Sequence, residues 1–421
     1  MIFGLIGANV TKSYSRVIHD LLSSHPYELV SLKEEELGAF FKNKDFVGIN
    51  VTMPYKEKVM KYLSEIDPNA KAIGCVNTIV NTKDRGLIGY NTDYDGFLYC
   101  VRKEKVHIKG KVIVILGTGA TSKTVTKACK DLGAKEIIYC SAHYKEHEGT
   151  ISVDDLYNLK KVDVLINTTP CGMAPNVDDT MVQLSHMKSL KKLKAVIDWV
   201  YDPINTKLLA TAKLHRIKTI CGLQLLAAQA FYSSQYFVQR KYNEVLIDEI
   251  YATLAKRLYN LVLIGMPYSG KSTLGKLVAQ NLGKEFIDLD ELIEKQEGKS
   301  CRDIIKDSGE EAFREIESKL CKEYAYSNNK VISCGGGIVT RQDNMVALRQ
   351  NGIICNVVRD EEDIEFSDVR PLASTREAYE ELYERRKDLY RLYQTFEFDN
   401  NDSIEAAAEA MEEQFHENIG N

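Results

Sequence analysis

The 421-residue sequence has no apolar run near the ~20 residues that a membrane span requires, so no spanning helix is expected. It has no block of basic residues and carries a formal net charge of −5, which argues against a broad surface for nucleic acid or anionic lipid. The opening MIFGLIG shows neither a basic n-region nor a cleavage site, and the expected compartment is the cytoplasm. Ten cysteines are present, but no two stand closer than eleven residues, which excludes C-x-x-C redox and zinc-knuckle spacings. Free thiols in a reducing compartment are expected. His143 and His147 stand four apart without a third ligand at metal-site spacing and read as a solvated face. Neither an internal repeat nor a low-complexity segment is present.

What is there is alternation. Hydrophobic residues at 44% and charged residues at 27% are ordinary for a globular chain. At about 100–200 residues per domain the length allows two to four domains. Apolar runs such as KVIVILGTG and NLVLIG are each followed by an amphipathic run, a pattern that predicts α/β folding with parallel sheets and helices on their faces. One strand–glycine–helix unit starts at 112 and a second at 261. Between them, residues 225–259 contain neither Pro nor Gly and repeat apolar residues at helical spacing. A helix there would lead almost directly into the strand at 261, with no flexible linker.

GMPYSGKST, residues 265–273, reads G-x-x-x-x-G-K-S. Backbone N–H groups of such a loop and of the helix after it point at phosphate oxygens. Gly265, Ser269, Gly270 and Thr273 would form the cradle; Lys271 would reach the β- and γ-phosphates, and the Ser272 hydroxyl would bind Mg²⁺. In FIDLD, Asp288 and Asp290 are expected on one face of a strand end, one serving the metal and the other a substrate hydroxyl. EEAFREIE supplies Arg314; CGGGIV supplies Gly335, Gly336 and Gly337, which permit close backbone approach to a ring substrate. RPL adds Arg370 and ERRKDLY adds Arg386. Singly, these read as a cap, a salt bridge and a turn. In this order, over residues 258–415, they resemble shikimate kinase, a P-loop fold with a parallel sheet using ATP and Mg²⁺. The resemblance implies that Asp290 grips the substrate hydroxyls and acts as base. It implies that Arg314 and Arg386 clamp the shikimate carboxylate, a task suited to a planar guanidinium fork. Arg370 would be the lid arginine meeting the transferring phosphoryl group. Two departures stand out: the family's R-x-P-L-Y reads RKDLY, and the lid segment RDEEDIEFSDV is acidic and short, with no match to the arginine near adenine.

In the first half, VILGTGATSKT places Gly117, Thr118, Gly119, Ala120 and Thr121 in a dinucleotide loop between strand and helix. NVTMPYKEKV sets Thr52 near Lys56; GCVNTIV gives Asn77 and GYNTDYDGF gives Asp93. Reducing a ketone by hydride builds negative charge on its oxygen, which a nearby lysine can stabilise and protonate. A carboxylate would hold that lysine and a substrate hydroxyl. With INTTPCGM, DWVYDP and GLQLLAAQA downstream, residues 1 to about 250 resemble shikimate dehydrogenase. The resemblance implies a catalytic pair, Lys56 and Asp93. Thr52, Asn77 and Gln229 would hold substrate hydroxyls, with Ser13, Ser15 and Tyr201 on the carboxylate side. The family's P-I-x-H-S-x-S-P reads NVTKSYSR, keeping both serines while Asn9, Lys12 and Arg16 replace other residues. It also implies an α/β substrate domain from 1–95 plus about 223–256 and a Rossmann domain over 96–222.

After the second Rossmann strand, IIYCSAHYK has Ala142 where the family's arginine meets the 2′-phosphate of NADP. His143 or Lys145 could serve instead. There is no strand-end Asp for a free 2′-hydroxyl, so NADP is favoured and NAD stays possible. The joint expectation is a bifunctional enzyme that reduces 3-dehydroshikimate and phosphorylates shikimate. Two alternatives remain open: a regulatory protein that kept both folds, and a quinate-type dehydrogenase paired with another small-molecule kinase.

Overall fold

The computed structural model describes residues 3–11, 13–22, 25–364, 366, 373 and 375–419. Lys12, Arg370 and residues 365 and 367–369 of the lid segment lie outside them. The chain divides into two compact units. One comprises Met1–Asp202 with His215–Tyr251, the other Pro203–Leu214 with Ala252–Asn421.

The first unit holds two sheets. Strands β1 (Phe3–Gly7), β2 (Tyr27–Ser31), β3 (Gly48–Val51), β4 (Glu65–Ile66), β5 (Thr78–Thr82) and β6 (Gly86–Tyr90) lie in the order β2-β1-β3-β5-β6-β4. Alternation along the sequence predicts parallel pairing, but β5 runs antiparallel to both β3 and β6. The cause is local. Gly86 has φ +76, and Thr82 Oγ1 donates to the Gly86 carbonyl at 2.9 Å, closing a tight turn that reverses the chain.

The second sheet is wholly parallel. It contains β7 (Val112–Leu116), β8 (Glu136–Cys140), β9 (Thr150–Ile151), β10 (Val164–Asn167), β11 (Ala195–Asp198) and β12 (Lys218–Ile220), in the order β12-β11-β10-β7-β8-β9. Every residue of VIVIL in β7 is buried, as expected for a central strand covered on both faces. The order changes direction at β7 and β10, where the crevice for a dinucleotide forms in such sheets.

In the second unit β13 (Asn260–Ile264), β14 (Glu285–Asp288), β15 (Lys330–Ser333), β16 (Gly352–Val358) and β17 (Phe396–Asp399) form a parallel sheet ordered β14-β15-β13-β16-β17. Val262, Ile264, Ile332 and Ile354 anchor its core. The helix Val245–Leu258 ends next to β13, so the expected direct passage from helix to strand is present. The single helix expected over 225–259 is not. Helices Gly222–Val238 and Val245–Leu258 are separated by a turn at Gln239, whose φ of 52 is left-handed. The Gln235 side chain accepts the Tyr242 N–H at 3.1 Å and stabilises the break without glycine or proline. No helix among the described residues is long and apolar enough to cross a membrane.

Candidate active sites

The first site gathers around the end of β3. Thr52 follows that strand directly, and its N–H bonds the Ile6 carbonyl of β1 at 2.9 Å. The loop then brings Lys56 back, where its carbonyl accepts from Val76 N–H at 2.9 Å. That bond sets Lys56 beside Asn77, which immediately precedes β5. Asp93 lies in the first turn of the helix Thr92–Lys103, capped by Asn91, whose Oδ1 accepts the Tyr94 N–H at 3.1 Å. Lys56 Nζ meets Asp93 Oδ2 at 2.6 Å, with both side chains largely buried. Burial opposes the Lys56 charge, but the adjacent carboxylate outweighs it and raises the pKa above the usual lysine value. Lys56 is therefore an ammonium ion at neutral pH.

Asn77 Nδ2 and Gln229 Oε1 stand 3.5 Å apart, bringing together two of the residues expected to hold hydroxyls. Ser13 and Ser15 share a hydrogen bond of 3.0 Å, and Ser13 also bonds the Tyr201 hydroxyl. These three expected residues thus form one cluster.

The dinucleotide loop leaves the carboxyl end of β7. Gly117 has φ +99, and a methyl group there would stand 2.7 Å from Thr169 Cγ2. Nothing would obstruct a methyl group on Gly119, so its carbon faces open space. Thr118, Ala120 and Thr121 are half-buried, and Ala120 opens the helix Ala120–Asp131. This geometry fits a dinucleotide phosphate group at a helix N-terminus. His143 and Lys145 lie on the exposed turn after β8, with the His143 N–H bonded to Ser141 Oγ at 3.1 Å.

The second site begins at the phosphate loop after β13. Gly265 has φ +141, and a methyl group there would come within 2.3 Å of the Val357 carbonyl oxygen. Gly270, at φ +82, would carry one into the Asn400 amide at the same distance. Both positions require glycine. Lys271 Nζ donates to the carbonyls of Gly265 and Met266 and to Ser269 Oγ, at 3.0, 2.8 and 3.2 Å. Thr273 is exposed in the first turn of the helix Lys271–Leu282.

Ser272 Oγ donates to Asp288 Oδ2 at 2.5 Å. A hydroxyl and a carboxylate side by side are hard oxygen donors and fit Mg²⁺. The expected pairing of Asp288 and Asp290 on one strand face is corrected. Asp288 ends β14 and caps the helix Leu289–Glu297, accepting the N–H groups of Asp290 and Glu291. Asp290 therefore sits in the first helical turn rather than on the strand.

Ser272, Asp288, Asp290, Arg314, Arg386 and the three glycines line one cavity of about 500 Å³. Five separate sequence motifs thus converge on a single space. The glycines make room for side chains: a methyl group on Gly337 would lie 1.9 Å from Arg314 Nη2, and one on Gly335 would lie 2.7 Å from Asp290 Oδ1. Tyr390 donates to the Gly336 carbonyl at 2.6 Å and fixes this wall. Burial lowers the Arg386 pKa. Burial also opposes the charge of Arg314, but Glu317 and Glu310 overcome it and raise its pKa.

Glu317 was not among the expected site residues, although it stands one helical turn after Arg314 in FREIE. It binds Arg314 Nη1 at 2.8 Å. Burial pushes its carboxyl up to about 7 against the pull of Arg314. Its Oε1 finds no hydrogen-bond partner among the described residues.

A substrate sheet joined to a dinucleotide-binding sheet, and followed by a phosphate-loop sheet, defines a nucleotide-dependent oxidoreductase with a kinase domain on the same chain. Residues 5–79 match the family profile described as shikimate dehydrogenase substrate binding domain, and residues 267–416 match shikimate kinase. A shikimate dehydrogenase (NADP(+)) of Clostridium perfringens is 36% identical over 272 residues, covering 61% of this chain and 99% of the relative. Among solved structures, a chorismate mutase/shikimate 5-dehydrogenase fusion protein from Clostridium acetobutylicum matches with a TM-score of 0.55 and 34% identity, over 60% of this chain and 96% of that one. Shikimate 5-dehydrogenase from Thermus thermophilus, in complex with NADP(H) and shikimate, gives 0.53 and 25% identity, over 60% and 99%. The chain belongs to the shikimate dehydrogenase family and carries a shikimate kinase domain at its carboxyl end.

Proposed function

We infer that this chain performs two successive reactions: NADP-dependent reduction of 3-dehydroshikimate to shikimate, then ATP-dependent phosphorylation of shikimate on its 3-hydroxyl. The observation that carries this reading is that each half of the chain, one similar to shikimate dehydrogenase and one matching shikimate kinase, holds its own converged cluster of polar residues. These are the Lys56–Asp93 pair in one and the arginine-lined cavity in the other.

In the first reaction NADPH supplies the hydride. The Lys56 ammonium group stabilises the ketone oxygen and gives it a proton, while Asp93 holds Lys56 and a substrate hydroxyl. Thr52, Asn77 and Gln229 bind the remaining ring hydroxyls. Ser13, Ser15 and Tyr201 orient the carboxylate. Gly117 to Thr121 seat the dinucleotide phosphates, and His143 or Lys145 serves the 2′-phosphate. We assign substrate binding to residues 1–95 with about 223–256, and the dinucleotide to 96–222.

In the second reaction MgATP supplies the phosphoryl group. Arg314 and Arg386 clamp the carboxylate, and Asp290 takes the proton of the attacking hydroxyl. Lys271, the loop N–H groups and Arg370 stabilise the equatorial oxygens, with Ser272 and Asp288 serving Mg²⁺. We assign this work to residues 258–415. The cytoplasm is the proposed compartment, consistent with ten free cysteines.

The test compares substrates on the purified full chain. Shikimate oxidation with NADP⁺ should exceed quinate oxidation, and MgATP should convert shikimate to its 3-phosphate. Preference for quinate in either reaction would replace this reading with a quinate-type pair. Shikimate binding without turnover would replace it with a regulatory protein.

A further inference from the structure

Behind the Lys56–Asp93 pair runs a buried hydrogen-bond chain that the roles above touch only at Asn77. Asn91 performs two tasks at once. Its Oδ1 caps the helix whose first turn carries Asp93. Its Nδ2 donates away from that helix, to the Cys75 carbonyl at 3.0 Å, Cys75 Sγ at 3.2 Å and Thr124 Oγ1 at 3.2 Å.

Thr124 lies in the helix Ala120–Asp131, which begins at the dinucleotide loop. Its hydroxyl reaches back to the Ala120 carbonyl at 3.5 Å, and Cys75 Sγ reaches the same carbonyl at 3.7 Å. Forward of Asn91, the Thr92 N–H donates to Asn77 Oδ1 at 2.7 Å. Asn91, Thr92, Asn77, Cys75 and Thr124 are all at most 4% exposed. A buried amide with fixed partners on both sides cannot rotate without leaving a polar group unpaired. The first turn of the dinucleotide helix and the residues around the substrate are therefore held to one another by the Asn91 side chain.

We propose that Asn91 and Thr124 are positioning residues that couple dinucleotide binding to substrate binding in the dehydrogenase. Phosphate seated at the loop draws on the N-terminus of the Ala120–Asp131 helix. Thr124 transmits the setting of that helix to the Asn91 amide. Asn91 in turn sets the turn that carries Asp93 and the Thr92–Asn77 bond. The proposal rests on the dehydrogenase reading above. Coupling of this kind is an energy between two sites and is measured as a change in affinity.

Thr124→Val isolates the link. It keeps the shape and removes the acceptor, while the Asn91 amide retains the Cys75 carbonyl. The experiment measures shikimate Kd on the full chain, with and without saturating NADP⁺, by titration calorimetry. In the unaltered protein NADP⁺ should tighten shikimate by about fivefold or more. In Thr124→Val that ratio should fall to ~1, while the NADP⁺ Kd without shikimate stays within ~2-fold. Thr124→Ser should restore the ratio, which a purely structural role would not require. Kinase activity of the same variant controls for folding; if Thr124→Val fails to fold, Thr124→Ala takes its place. An unchanged ratio in the variant, or a ratio of one in the unaltered protein, overturns the proposal. Loss of shikimate binding or turnover in the unaltered protein would instead count against the dehydrogenase reading.

Discussion

Lys56 and Asp93, 37 residues apart in the chain, form a buried ion pair of 2.6 Å between the loop after β3 and the first turn of the helix Thr92–Lys103. The pair keeps a proton on the lysine, which suits a group that protonates a developing alkoxide. Lys56→Ala should lower 3-dehydroshikimate reduction by ~10²–10⁴-fold. Shikimate phosphorylation should be unchanged. Loss of both activities in a folded variant would contradict separate sites.

Lys271 gives the reciprocal expectation. Its amine already points along the loop carbonyls at 2.8–3.0 Å, where it would meet phosphate oxygens. Lys271→Ala should reduce phosphorylation by about 10²-fold or more and leave NADPH oxidation intact. Persistent ATP-dependent product, followed by mass, would remove the loop from the mechanism.

Gly337 provides a steric test. A methyl group 1.9 Å from Arg314 Nη2 must displace the guanidinium. Misplacement by about an ångström can cost ~10²-fold. Gly337→Ala should therefore lower the kinase kcat/KM for shikimate on that scale, mainly through KM, with the dehydrogenase unaffected. Steady-state kinetics on shikimate decide it.

The phosphate loop was legible because its chemistry is local: strand, glycine, lysine and helix lie within a dozen residues. The Asp288–Asp290 pair was misread because D-x-D matches strand alternation as well as it matches a helix cap. Only the hydrogen bonds from Asp290 and Glu291 N–H to Asp288 separate the two. The break at Gln239 left no glycine or proline signal. The glycines at 335–337 announced close approach, but what approaches includes Arg314 and Asp290, and a sequence does not show contacts between motifs. Glu317 looked like one acid among several on a helix until burial singled it out.

His19 predicts a pH dependence in the first unit. It is buried against Tyr27, with ring centroids 4.0 Å apart, and burial lowers its pKa to about 3. A histidine depressed in the folded state favours folding fully above its unfolded value of ~6.5. That contribution is lost as pH falls toward 3, at up to ~1.4 kcal/mol per pH unit. The urea midpoint for loss of dehydrogenase activity should therefore fall between pH 6.5 and pH 4. His19→Phe should flatten that slope by about one proton, and an unchanged slope would show that His19 is not the titrating group.

The most direct measurement is one reaction mixture containing the purified chain, 3-dehydroshikimate, NADPH and MgATP. Reduced nicotinamide would be followed by absorbance and shikimate 3-phosphate by mass. The account predicts that both change, with shikimate 3-phosphate approaching one equivalent per NADPH consumed as shikimate is used up. NADPH consumption with shikimate accumulating and no phosphate ester formed would contradict the claim that one chain performs both steps.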